Sequence, residues 1–174
     1  MDNRLSWGKP LTKLDEIQNL TKEYWKKFEQ KSAGFQLPDI EYIGSLEGSA
    51  SSSPMFLVAV PIKNQEEGIA GVLGALFSSL TASTSVGLVF DNCTDKSLER
   101  VIQLLKNLSE TVLGNVCLIH LFVSKGELFE ATCENLIFSL GEARFFMSLQ
   151  ADIYLIDNTF QNRVCEAFAL DSAL

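Results

Sequence analysis

The sequence has little of what metal clusters, polyanions or membranes require. One histidine, His120, and four cysteines, Cys93, Cys117, Cys133 and Cys165, are scattered over 174 residues with no pair at metal-ligand spacing. A Cys/His metal motif is thereby excluded, and reduced thiols fit a cytoplasmic protein. Lys and Arg number 14 against 22 Asp and Glu, a formal net charge of -8, and no basic block breaks the acidic balance. Phosphate backbones and anionic surfaces are repelled by such a chain, so nucleic acid is not an expected partner. No N-terminal stretch has a secretory apolar core, and the apolar runs 55–60 and 116–123 fall far short of the roughly 20 residues that span a bilayer. No transmembrane segment is expected. A glycine-rich phosphate loop is also missing: Gly68, Gly71 and Gly74 recur every three residues inside a helical stretch, a spacing suited to close helix packing.

What the chain does have is a strict rhythm. Residues 14–30 place Leu14, Ile17, Thr21, Tyr24, Trp25 and Phe28 near one helical stripe, an N-terminal amphipathic helix that either docks a partner or covers its own domain. Residues 33–54 shift to Gly34, Pro38, Gly44, Gly48 and a serine run, and read as a linker. From residue 55 on, apolar runs alternate with helical patterns: 55–60, then a helix over 66–80; 85–90, then a helix over 97–112; 116–123, then a helix over 127–140; and a fourth run over 145–149. Fully apolar strands separated by helices predict an α/β domain, a mostly parallel sheet with helices on both faces. The organisation expected is a helical arm over 1–32, a linker over 33–54 and one α/β domain over 55–174.

In such sheets ligands gather at the carboxyl ends of the strands, so the residues after each apolar run carry the interest. The first run ends in Pro61-Ile62-Lys63-Asn64-Gln65-Glu66-Glu67 and the second in Asp91-Asn92-Cys93-Thr94-Asp95. PIKNQEEGI resembles the opening motif of the family 2 glycosyltransferases, a strand ending in Pro-x-x-Asn-Glu-Glu, and FDNCTDKS resembles that family's second motif, in the same order and at similar spacing. Ala131-Thr132-Cys133-Glu134-Asn135 resembles the family's next helix. Ser148-Leu149-Gln150-Ala151-Asp152 falls where the family carries Asp-x-Asp.

The resemblance implies a domain that binds a nucleotide-diphospho-sugar, with Pro61, Asn64 and Glu66 shaping the nucleotide pocket, Asp91 at the base and Asn135 facing the donor. A carboxylate at a strand end can accept the imide N–H of a uracil. Asp91 also fits ordinary turn chemistry, and Thr94 or Asp95 would cap the following helix. Asn135 fits a structural hydrogen bond equally well. Asp152 and Gln150 are the candidate ligands of a divalent cation, Mn²⁺ or Mg²⁺. An amide in place of the first carboxylate brings no charge, so weak metal binding is expected. Asp157 fits a cap for a helix starting near Thr159. His120, inside CLIHLF, reads as a neutral, hydrogen-bonded core residue, and the thiols Cys93 and Cys117 have no basic neighbour to activate them.

Little chain follows Asp152, whereas the family's acceptor site and catalytic base follow its metal motif. The resemblance therefore implies a donor half, with inverting sugar transfer if an acceptor half completes it. No catalytic residue is assigned. The alternative is a non-catalytic binding or assembly module with a decayed metal site. The edge of the fourth strand is expected to be covered by a second copy or by the N-terminal helix. The partners expected besides the nucleotide-diphospho-sugar are a second copy, in a homo-oligomer, or a missing C-terminal acceptor domain.

Overall fold

The structure is a computed structural model and describes residues 5–7, 38–50, 53–141 and 143–171. The amphipathic stretch 14–30 lies outside the described residues. Six strands form one sheet: β1 (Leu5–Trp7), β2 (Ile40–Glu47), β3 (Phe56–Ile62), β4 (Thr84–Asp91), β5 (Val116–Ser124) and β6 (Phe145–Ser148), in the order β1-β2-β5-β4-β3-β6. β6, β3, β4 and β5 run parallel, and β2 and β1 are added antiparallel beyond β5. The helices are α1 (Ile69–Ser79), α2 (Ser97–Asn107), α3 (Glu130–Phe138) and α4 (Phe160–Asp171), with a short 3-10 turn at Val112–Asn115. The mostly parallel α/β architecture read from the apolar runs is the one observed.

Each parallel strand is apolar throughout because both of its faces are covered. On one face Val58, Val60, Val86, Leu88, Ile119 and Leu121 meet α1 and α2 through Val72, Leu76, Val101 and Leu105. On the other, Leu57, Ala59, Val89 and Phe122 meet α3 through Cys133, Leu136 and Ile137. The close seat of α3 depends on Gly87 of β4: a Cβ there would lie 2.3 Å from Ile137 Cδ1, well inside contact distance.

The stretch 33–54 was expected to be linker; it contains β2 instead. Glycine and serine dominate its ends, but Ile40, Tyr42, Ile43 and Leu46 supply apolar side chains for both sheet faces. A bulge between Tyr42 and Gly44 shifts the register, so that Tyr42 pairs with Phe122 on the α3 face and Leu46 pairs with Ile119 on the α1/α2 face. A bulge breaks strict alternation, and with it the period-2 signal that identifies a strand.

The helices are shorter than their periodicity predicts. α2 stops at Asn107 because Leu108 turns extended (φ -66°, ψ 131°), and α1 begins only after Gly68. Of Gly68, just before α1, and Gly71 and Gly74 within it, Gly68 and Gly74 face open space, and only Gly71 is in close contact, under the ring of Tyr154 from the segment after β6. The Tyr154 hydroxyl donates to the Gly68 carbonyl at 3.3 Å. The spacing thus serves a loop contact rather than helix packing.

α4 returns to the amino end of the sheet. The fully buried Gln161 accepts the Thr81 and Ala82 N–H groups at 2.7 and 2.9 Å and donates to Thr84 Oγ1 at 2.9 Å. Phe168 of α4 packs on Phe145 of β6 (ring centroids 5.1 Å), while Phe146 on the same strand stays 49% exposed.

Candidate functional site

β3 pairs with β4 on one side and β6 on the other, and the crossovers through α1 and α3 lie on opposite faces. Such a reversal opens a crevice above the carboxyl ends of the strands. A cleft of about 320 Å³ lies there, lined by Pro61, Ile62, Lys63 and Gln65 after β3, Asp91 at the end of β4, Glu127, Phe129 and Glu130 after β5, and Gln150, Ala151 and Asp152 after β6. Of the residues proposed from sequence, Pro61, Asp91, Gln150 and Asp152 come together in it. Asn64, Glu66 and Asn135 do not.

Asn64 and Glu66 face the neighbouring loop. Asn64 Oδ1 accepts the Thr94 N–H at 2.8 Å, and the Gln65 N–H donates to Ser97 Oγ at 2.8 Å. The Glu66 N–H donates to Asp95 Oδ2 at 2.9 Å, and the Glu66 carboxylate accepts the Lys96 N–H at 3.3 Å and pairs with Arg100 at 3.6 Å. Asp95 Oδ1 also takes the N–H and hydroxyl of Ser97, at 3.0 and 2.7 Å. Burial pushes the Asp95 carboxyl up, but the bonds from Ser97 and Glu66 outweigh it and hold the group below the usual carboxylate range. The PIKNQEE and DNCTD segments thus form a mutual clamp. Its strongest member is the Asp95 carboxylate at the start of α2, in line with the turn-and-cap chemistry anticipated for that residue. Asn135 lies exposed on α3, and its carbonyl accepts the Ser139 N–H, an ordinary helix-end bond.

Asp91 is 5% exposed. Its two carboxylate oxygens accept the backbone N–H groups of Leu128 and Phe129, at 2.7 and 3.2 Å. It therefore holds the turn that leads into α3. Phe129, held by that turn, has φ 63° and ψ 154°, a region that side chains with a Cβ rarely enter, and the residue is 45% exposed at the cleft.

Charge in the cleft is predominantly negative: Asp91, Glu127, Glu130 and Asp152 against the ammonium of Lys63. Lys63 is hydrogen-bonded and ion-paired to Glu127, which holds its ammonium above the ordinary lysine range. The Gln150 amide donates to Glu130 Oε1 at 3.3 Å, so a carboxylate from α3 stands beside the position where the motif lacks one. Among the described residues, no three His, Cys, Asp or Glu side chains gather as a metal cluster. The oxygen donors of Asp152, Gln150 and Glu130 nevertheless suit a hard divalent cation, with two carboxylates supplying charge and the amide none.

Sequence reading passed over Glu127, Phe129 and Glu130. The rule that ligands gather just past each apolar run applies to the third run as well as the others, and that rule alone would have pointed to them. His120 is a core residue as expected, but among the described residues its Nδ1 has no hydrogen-bond partner, and burial drives its pKa down to about 4. Cys93 donates to the Ile62 carbonyl at 3.3 Å, and burial pushes its thiol up, away from nucleophilic use. Asp157 accepts the Thr159 N–H at 2.6 Å and pairs with Arg163 at 2.8 Å, opening α4 as anticipated.

No protein-family model and no curated protein sequence matches the chain. Solved structures do. A mannosyltransferase from Pyrobaculum calidifontis, PcManGT, in complex with GDP-Man and Mn²⁺, superposes with a TM-score of 0.52 at 15% identity over 83% of this chain and 38% of its own. S. aureus TarS 1-349 in complex with UDP superposes with a TM-score of 0.50 at 20% identity over 63% of this chain and 31% of its own. This chain thus spans little more than a third of these proteins at most. The likeness establishes the fold alone, a mostly parallel α/β sheet of the kind these two enzymes carry. No helix among the described residues is long and apolar enough to cross a membrane.

Proposed function

We propose that this chain is the donor half of a family 2 glycosyltransferase. It binds a nucleotide-diphospho-sugar in the cleft at the carboxyl ends of β3, β4, β5 and β6, and an acceptor half supplied by further polypeptide completes inverting transfer. The observation that carries the reading is the convergence of Pro61, Asp91, Gln150 and Asp152, drawn from three separate strand ends, on one crevice. The fold is shared with enzymes solved with UDP and with GDP-Man. Asp152, Gln150 and Glu130 would hold the divalent cation. When bound, the cation supplies the positive charge that a diphosphate needs in an otherwise acidic cleft.

The chain's own groups do the rest. Pro61 and Ile62 form an apolar wall that excludes water from one side, and Asp91 keeps the turn into α3 in place. Lys63 exchanges its bond to Glu127 for one to phosphate oxygen. Calorimetric titration with UDP and GDP, with and without Mn²⁺, tests the proposal on wild type and Asp152→Ala. Metal-dependent binding lost in Asp152→Ala supports it; absence of binding at millimolar nucleotide rejects it. A non-catalytic assembly module is the second reading, favoured by the neutral amide of Gln150 at the metal position.

A further inference from the structure

We propose that Phe129 is the platform on which the nucleobase stacks, and that Asp91 acts as the positioning residue that holds it. This rests on the nucleotide-binding reading and gives that site its base-recognition element. Phe129 is the only aromatic residue among the described residues that line the cleft, and the residue is 45% exposed. Large apolar rings open to solvent in a concave pocket mark contact surfaces for ligands with an apolar face.

The backbone points the same way. At φ 63° and ψ 154° the position suits glycine, yet it carries one of the largest side chains in the sequence. The surroundings hold that conformation from both sides of the residue. The Phe129 N–H is taken by Asp91 Oδ2, and the Phe129 carbonyl accepts the Thr132 and Cys133 N–H groups at 3.1 and 3.2 Å. Glycine in its place would keep every one of these backbone bonds without strain. What the strained arrangement adds is the ring at the cleft.

Asp91 meanwhile has both oxygens engaged by backbone N–H groups. Each oxygen keeps a second lone pair, so stacking on Phe129 works alongside whatever the carboxylate can still accept. Stacking tolerates any base, because every base presents a π face.

The test is calorimetric titration of the full chain with UDP, GDP and inorganic pyrophosphate in Mg²⁺, for wild type, Phe129→Ala, Phe129→Tyr and Phe129→Gly. Phe129→Ala is expected to weaken UDP and GDP by about 10- to 100-fold and leave pyrophosphate unchanged, while Phe129→Tyr retains binding of both nucleotides. Phe129→Gly should match alanine in nucleotide affinity yet melt at a higher temperature than wild type, because the strain is gone. UDP and GDP bound by Phe129→Ala as tightly as by wild type overturn the stacking role and leave the nucleotide site standing. An equal loss for pyrophosphate assigns the residue to cleft shape alone and also overturns it. A wild-type chain that binds neither nucleotide removes both proposals together.

Discussion

The loops after β3 and β4 are sewn to each other by side chain-to-backbone bonds through Asn64, Glu66, Asp95 and Ser97, whereas the Leu128 and Phe129 N–H groups after β5 share one buried carboxylate, Asp91. In the first region the bonds are many, partly solvated and redundant, so no single one dominates. In the second the bonds are few and buried, and they hold a residue in a conformation it would not choose. Redundant bonding makes a rigid frame; a single anchor makes an element whose position one residue controls. The frame carries the two segments that resemble the family 2 glycosyltransferase motifs, and the anchored turn carries the exposed ring.

Several substitutions sharpen that contrast. The largest effect is expected for Asp91→Ala, which leaves the Leu128 and Phe129 N–H groups without their charged acceptor. A loss of about 3 to 4 kcal/mol, read as a lower urea midpoint, is expected. An effect under about 1 kcal/mol would mean that the turn is held by other means.

Acid provides a baseline common to both regions. Burial drives the pKa of His120 down to about 4 in the folded chain, from an ordinary imidazole value of 6.5. Between those values only the unfolded chain binds the proton, so stability is full above about 6.5 and declines by about 3 kcal/mol as the pH falls to 4. His120→Leu should flatten that part of the urea-midpoint profile, and an unchanged slope would assign the acid sensitivity elsewhere.

Asp95→Ala removes one strand of the clamp while Asn64–Thr94 and Gln65–Ser97 remain. The expected cost is only about 1 kcal/mol, because the carboxylate is partly solvated. Its folded-state pKa is depressed, so its contribution is present above the unfolded carboxyl value and is lost as the pH falls through the folded one. A cost matching that of Asp91→Ala would erase the distinction between frame and anchor. The smallest effect is expected for Lys63→Ala. Its pair with Glu127 is exposed at both ends (44% and 50%), and thermal melting should shift by less than the equivalent of about 0.5 kcal/mol.

Much of the fold was legible because burial on both faces writes itself into sequence as continuous apolar runs: FLVAVPI, TSVGLVFD and VCLIHLFVS are strands, with helices between them. β2 was not legible, since its bulge breaks the alternation and its neighbours are glycine and serine. The site divided along similar lines. Pro61, Asp91, Gln150 and Asp152 sit at strand ends, where position in the chain dictates position at the cleft. Asn64 and Glu66 are just as close in sequence, yet their side chains turn to the next loop.

By itself, then, the sequence determined the alternation of strands and helices from residue 55 onward and the end of the sheet at which a ligand would gather, because periodicity and chain direction are local properties. Only the tertiary structure decided which polar groups were consumed in holding the loops together and which remained to line the cleft. Hydrogen-bond partners thirty residues apart are chosen by packing in three dimensions, and no local pattern records that choice. Phe129 is the clearest case: its strained backbone is held from one side by Asp91, on another strand, and from the other by the first turn of α3.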